Sequence, residues 1–135
     1  MHRAFLIAGI LLAAFAVALG AFGAHGLKKI VDDQSVEVFK TGVQYQFYHA
    51  LTLILTAILA DKFSSKEIKW AGNAFIAGII LFSGSLYAIT AFKAMPAEVP
   101  KFIGPVTPLG GLLFIAGWLF LLIAVLKNKK IKGAM

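Results

Sequence analysis

Four long uncharged stretches alternate with three short charged ones along this chain. Ala4 to Leu27, Thr41 to Ala60, Trp70 to Phe92 and Phe102 to Leu126 contain no Asp, Glu, Lys or Arg. A hydrocarbon core about 30 Å thick is crossed by roughly 20 apolar residues in a helix, and every stretch reaches that length. None shows the two-residue alternation of a barrel strand, and only helices or closed barrels satisfy backbone groups in lipid. The pattern therefore predicts an all-α polytopic membrane protein: four transmembrane helices in an antiparallel bundle, with spans of approximately 4–26, 41–60, 70–92 and 106–126. The connecting segments 28–40, 61–69 and 93–101 are too short for a second core, so residues 1–135 are expected to form a single transmembrane domain.

Local signals refine the helix ends. Asp33 or Ser35 is placed to cap a second helix that starts before the membrane, with Val36, Val38 and Phe39 as apolar anchors. At the fourth span, Gly104-Pro105-Val106-Thr107-Pro108 predicts a threonine cap with the helix starting near Pro108. In the first span Gly9 and Ala13, then Ala16, Gly20 and Ala24, recur every four residues, a spacing that lets helices approach closely in lipid. Met1-His2-Arg3 followed by an apolar run resembles a secretory signal, but the run exceeds the usual 7–15 residues, so the segment is expected to be retained.

Polar side chains inside the spans are the candidate chemistry. At ~100° per residue from Gln44, the side chains of Thr41, Tyr45, Tyr48, His49, Thr52 and Thr56 share one sector of the second helix, with Gln46 outside it. Because lipid cannot pair their donors and acceptors, that sector is predicted to face inward. On the third helix Asn73, Ser83, Gly84, Tyr87 and Thr90 fall in a second sector, while Ser85 points elsewhere. Gln44, Tyr45, Tyr48 and His49 of the second helix and Ser83, Gly84, Tyr87 and Thr90 of the third lie in the outer half, together with His25 at the end of the first span and Thr107 at the start of the fourth. The predicted ligand-binding set is Gln44, Tyr45, Tyr48, His49, Ser83, Tyr87, Thr107 and His25. Hydrogen-bond glue between helices is the plain alternative use of the same residues. His2 is expected to be solvated, Trp70 to sit in an interfacial belt and Trp118 to pack.

Charge then orients the chain. Arg3, Lys62, Lys66, Lys69, Lys127, Lys129, Lys130 and Lys132 lie on the side of the termini, against Lys28, Lys29, Lys40, Lys93 and Lys101 on the other. The excess predicts cytoplasmic termini in a multi-pass protein of the cell membrane. The net charge of +7 is read as orientation and attraction to anionic lipid headgroups; no nucleic-acid-reading module is recognisable. With 60% apolar residues, a water-soluble fold is excluded by surface-to-volume arguments. The absence of cysteine removes disulfides, thiolate metal sites and cysteine nucleophiles.

Four blocks carry a resemblance. Ala21-Phe22-Gly23-Ala24-His25-Gly26-Leu27, Thr41 through Leu51, Leu81-Phe82-Ser83-Gly84-Ser85-Leu86-Tyr87 and Gly104 through Gly111 look like the signature blocks of an uncharacterised four-span membrane-protein family, domain of unknown function 423 (YwdK/YgdD-like, UPF0382). The resemblance spans nearly the whole chain. It implies a small inner or plasma membrane protein and no established activity.

Three functional classes follow, with a purely architectural bundle as the remaining reading. The first is a binding or accessory protein whose outer-half polar pocket accepts a lipid headgroup, a small quinone-like molecule or a partner helix. The second is a transporter or channel subunit with His49 as a proton-responsive group, against which stands the lack of any Asp or Glu in the spans. The third is a His-dependent haem, metal or hydrolytic enzyme, for which two histidines at different depths make an incomplete site. No catalytic residue, metal ligand or cofactor is assigned. Membrane lipids, a partner membrane protein or a second copy in a homo-oligomer are the expected partners.

Overall fold

Helices alone account for the regular structure in the computed structural model, which describes residues 1–128; no strand occurs among them. Helix α1 is Arg3–Ala24, and a short 3-10 turn over Leu27–Lys29 leads to α2, Asp33–Leu59. Helix α3 covers Lys66–Ala94 and α4 covers Ile103–Lys127. Three segments are long and apolar enough to cross a membrane by length and composition: Arg3–Lys29, Lys66–Ala94 and Ile103–Lys127. Helix α2 has 27 residues but carries Gln44, Gln46 and His49 and falls outside that set.

Two predicted helix ends move. The cap of α2 is Asp32 rather than Asp33 or Ser35: its carboxylate accepts from the Ser35 backbone N–H at 2.9 Å. Ser35 is thus the donor at the third helical position. The fourth helix starts at Ile103, not near Pro108. Pro105 occupies the first turn, where the missing N–H has no helical acceptor to lose, so the helix passes through what reads locally as punctuation. Pro108 lies inside the helix, and the Thr107 hydroxyl pairs with Ser85 instead of capping.

Contacts along the helices fix an antiparallel order. Gly9 of α1 lies against Ile54 and the Ala50 carbonyl, Gly20 against Val43, and Gly23 against Phe39. The buried small residues of α1 are Gly9, Ala16 and Gly23. They fall seven apart rather than on the four-residue spacing expected, the repeat of a seam shared by two wound helices. Between α3 and α4, Phe114 covers Gly78 and Phe75 covers Gly117. The tightest approach between these two helices is at Gly110: any Cβ there would collide with the backbone of Phe82.

The core divides by depth. Phe63, Ile68, Ala71, Phe75, Ile79, Phe114, Leu121 and Ala124 form one cluster between α3 and α4. Phe5, Leu53 and Ala57 join α1 to α2, while Leu27, Val36 and Phe39 close the opposite end. Polar ties gather both described chain ends on one side. The Met1 ammonium pairs with Asp61, Lys127 pairs with the buried carboxylate of Glu67, and Asn128 donates to the Lys62 carbonyl at 2.8 Å. His2 is not merely solvated: it caps α1 by accepting from the Phe5 N–H and stacks on the Phe5 ring at 3.8 Å. The basic tail from Lys129 onward lies outside the described residues.

Candidate functional site

Side-chain hydrogen bonds make α2 the hub of the molecule. Gln46 donates through Nε2 to the Leu12 carbonyl of α1 at 2.8 Å and accepts through Oε1 from the Tyr87 hydroxyl of α3 at 2.6 Å. The fully buried Ser83 hydroxyl donates to the Gly42 carbonyl at 2.6 Å, which ties α3 to α2 again. Ser85 and Thr107 join α3 to α4 at 2.5 Å. Trp118 of α4 donates its indole N–H to His49 Nε2 at 3.2 Å. Each of these bonds crosses between helices where lipid offers no competing partner.

His49 is held on every side. Its Nδ1 lies 2.8 Å from the Tyr45 carbonyl. A carbonyl only accepts, so Nδ1 carries the proton and Nε2 presents a lone pair to the Trp118 N–H. The neutral ring meets both partners in that tautomer. It stacks on Phe114 with centroids 3.6 Å apart and planes 7° from parallel, with Phe75 at 5.8 Å. A metal or haem iron at Nε2 would have to displace Trp118, and no group of three His, Asp or Glu side chains gathers among the described residues.

The backbones of α2 and α4 stand too far apart for extended contact, and His49, Phe114 and Trp118 bridge them. Beside this bridge lies an open groove of about 860 Å³. Tyr45, Tyr48 and His49 form its α2 wall, Phe82 comes from α3, and Pro108, Gly111, Leu112, Phe114, Ile115 and Trp118 form its α4 wall. Tyr45 rests on Phe82 at 4.7 Å, so the floor is a run of rings. Of the polar side chains lining this space, those of Tyr45 and Tyr48, one helical turn apart, have no protein hydrogen-bond partner among the described residues, and Tyr48 also borders a smaller hollow with Gln44. The groove is aromatic with two phenols at its edge, a character the polar residues alone did not suggest.

The eight predicted residues are not brought to one place. Tyr45, Tyr48 and His49 line the groove. Ser83 and Tyr87 are committed to Gly42 and Gln46, and Thr107 to Ser85. His25 is the exposed end of α1, its backbone N–H bound to the Phe22 carbonyl. Gln44 is exposed and lines a separate small hollow of about 220 Å³ with Ala16, Val17 and Phe47. The sector assigned to the interior of α2 is buried in part: His49, Thr52 and Thr56 are buried, whereas Gln44, Tyr45 and Tyr48 are exposed, and the buried face extends instead through Gly42, Gln46, Ala50, Leu53 and Ala57, centred ~180° from Gln44 at ~100° per residue. Packing of small and apolar residues chose that face. Thr52 and Thr56 bond the carbonyls four residues back within α2, so their hydroxyls place no demand on a partner.

Gln46, Ser85, Phe114 and the hydrogen-bonding role of Trp118 escaped the sequence reading. The recurrence of Gly42, Gln46, Ala50, Leu53 and Ala57 at steps of three or four residues was the available signal for Gln46. On α3 the cause is a π-helical turn over Ile79–Ser83, whose wider loop shifts everything downstream in phase. Ser83 and Tyr87 consequently face α2, whereas Asn73 and Gly84, counted in the same sector, face outward. The turn also carries Phe82 into the groove and against Gly110.

Comparison with known sequences adds the relatives. Residues 19–111 match the family model described as "Protein of unknown function (DUF423)". The chain is 44% identical over 126 residues to UPF0382 membrane protein YwdK of Bacillus subtilis (strain 168), covering 93% of this chain and 98% of that protein. It is 42% identical over 125 residues to a UPF0382 membrane protein of Staphylococcus aureus (strain bovine RF122 / ET3-1), at 93% and 97% coverage. A counterpart in Staphylococcus haemolyticus (strain JCSC1435) is 40% identical over the same length and coverage. No solved structure matches significantly.

Proposed function

The chain belongs to the DUF423 family, and from that premise we propose a binding or accessory role in the cell membrane, exercised through the groove between α2 and α4. The protein crosses the bilayer four times, with both termini cytoplasmic. Helix α2 is carried across with Gln46 and His49 bonded to neighbouring helices and Thr52 and Thr56 bonded to its own backbone. The groove opens sideways to the acyl chains and takes the apolar body of an amphiphile, such as an acyl chain or a flat ring. Tyr45 and Tyr48 hold its carbonyl or hydroxyl end.

One observation carries this reading: an open aromatic cleft of about 860 Å³ whose wall histidine is already paired on both nitrogens, leaving two phenols as its free polar groups. Pockets for small molecules are mostly apolar with a few placed polar groups, and this cleft has that make-up. The polar pairs on the neighbouring helices act as interhelical bonds and supply no row of groups for a conducting path. Native mass spectrometry after gentle detergent extraction tests the proposal. The wild type is expected to retain a bound amphiphile that Leu112→Trp, which fills the groove from α4, loses. Bare wild-type protein, or equal retention by Leu112→Trp, contradicts it.

A further inference from the structure

The polar side chains of α3 between Trp70 and Thr90 divide sharply. Ser83 donates to Gly42, Ser85 meets Thr107, Tyr87 donates to Gln46 and Thr90 donates to the Leu86 carbonyl. Asn73 is the exception: it is exposed, and it has no hydrogen-bond partner among the described residues. It sits one turn inside Trp70, whose own side chain is 46% exposed, on the surface of a helix long and apolar enough to span. A carboxamide facing hydrocarbon lacks a partner that lipid cannot supply, and its single methylene gives little reach back to the headgroups.

The surroundings of Asn73 are shaped for a helix. A shallow depression of about 530 Å³ runs beside it between α3 and α4, edged by Trp70, Ala74, Ala77, Leu113 and Phe120. Half-buried Ala77, one turn from Asn73, allows close backbone approach, the condition for helix contact in membranes. No charged residue occurs from Ala71 to Phe92, so nothing within the span repels a second molecule at this face. Leu113 and Phe120 belong to the side of α4 away from the α2–α4 groove, which is lined instead by Leu112, Ile115 and Trp118.

We propose that the α3 face around Asn73 is a self-association surface on which a second copy of this chain docks about a two-fold axis along the membrane normal. The argument for a second copy is complementarity. A carboxamide both donates and accepts, and that axis places the two Asn73 side chains at the same depth, where each donates to the other. Such a contact is isologous and closes as a dimer.

Cross-linking tests the surface, helped by a chain with no native cysteine. Asn73→Cys in bilayers at low protein density is expected to form a disulfide dimer on mild oxidation. Dimerisation measured by energy transfer between labelled copies should weaken roughly 3- to 30-fold in Asn73→Leu, the range of one to two interhelical hydrogen bonds, and be retained by Asn73→Gln. Because Asn73 is exposed, the thermal melt of each protomer should stay unchanged, which separates lost association from lost folding. A strictly monomeric wild type, or a dimer unaffected by Asn73→Leu and cross-linked through Gln44→Cys instead, overturns the proposal.

Discussion

Gln46 holds two neighbours at once, bonding the Leu12 carbonyl and the Tyr87 hydroxyl from a position that is 4% exposed. Replacing it with Leu preserves bulk and removes both bonds. The expected loss is about 1–2 kcal/mol of stability in a bilayer or micelle, at the scale of a buried partner left unmatched. A double-mutant cycle with Tyr87→Phe should return a coupling of roughly 0.6–1.7 kcal/mol; zero coupling would mean the pair contributes no specific bond. Glycines give a paired contrast. Gly110→Ala drives a Cβ into the Phe82 backbone, whereas at Gly111 the nearest atom is the Phe82 ring at 3.9 Å. The first substitution should destabilise by about 1–3 kcal/mol through overpacking, and the second should be tolerated in the same unfolding assay. Residue types were legible in the sequence as polar or small. Which of them meet was not, because Gln44 and Gln46 differ only in phase, and phase is set by the packing of their neighbours.

At the scale of single helices, ends and phase carry the information. The side-chain hydroxyl and then the backbone N–H of Ser35 hydrogen-bond the Asp32 carboxylate and hold its pKa below the ordinary aspartate value. A depressed carboxyl stabilises the folded state above its unfolded pKa of about 3.9, and that contribution disappears as pH falls through the lower folded value. NMR titration should therefore show Asp32 taking up its proton below about pH 3.9, with the first turn of α2 fraying in parallel. Asp32→Ala should fray that turn at neutral pH; amide exchange at residues 34–36 unchanged by the substitution would contradict the cap. The exposed site makes the effect local. Helix number and approximate extent were readable from the uncharged stretches, three of which become helices long and apolar enough to cross a membrane. The π turn at Ile79–Ser83 was not, since Ile-Ile-Leu-Phe-Ser is ordinary in any apolar helix and the turn answers to Gly110 and Gly42 across the interface.

For the molecule as a whole, topology and occupancy of the groove are both accessible to experiment because cysteine is absent and there are only two tryptophans. If the termini are cytoplasmic, Ala97→Cys reacts with an impermeant maleimide in intact cells, and Ser64→Cys reacts only after permeabilisation. The reverse pattern would invert the protein. The class of the chain was plain from composition, and its candidate site was legible only in part. Tyr45, Tyr48 and His49 were identified, while the aromatic character of the groove came from Phe82, Phe114 and Trp118, apolar residues that stand out only once three helices are assembled.

The most direct test of the groove uses Trp118, which lines it. Trp70→Phe leaves Trp118 as the one indole in the chain. A brominated amphiphile added to bilayers should quench its fluorescence along a saturable curve at low mole fraction, and Leu112→Phe should weaken that saturation. Quenching that rises only in proportion to bulk bromolipid, identically in both proteins, would contradict a groove that binds.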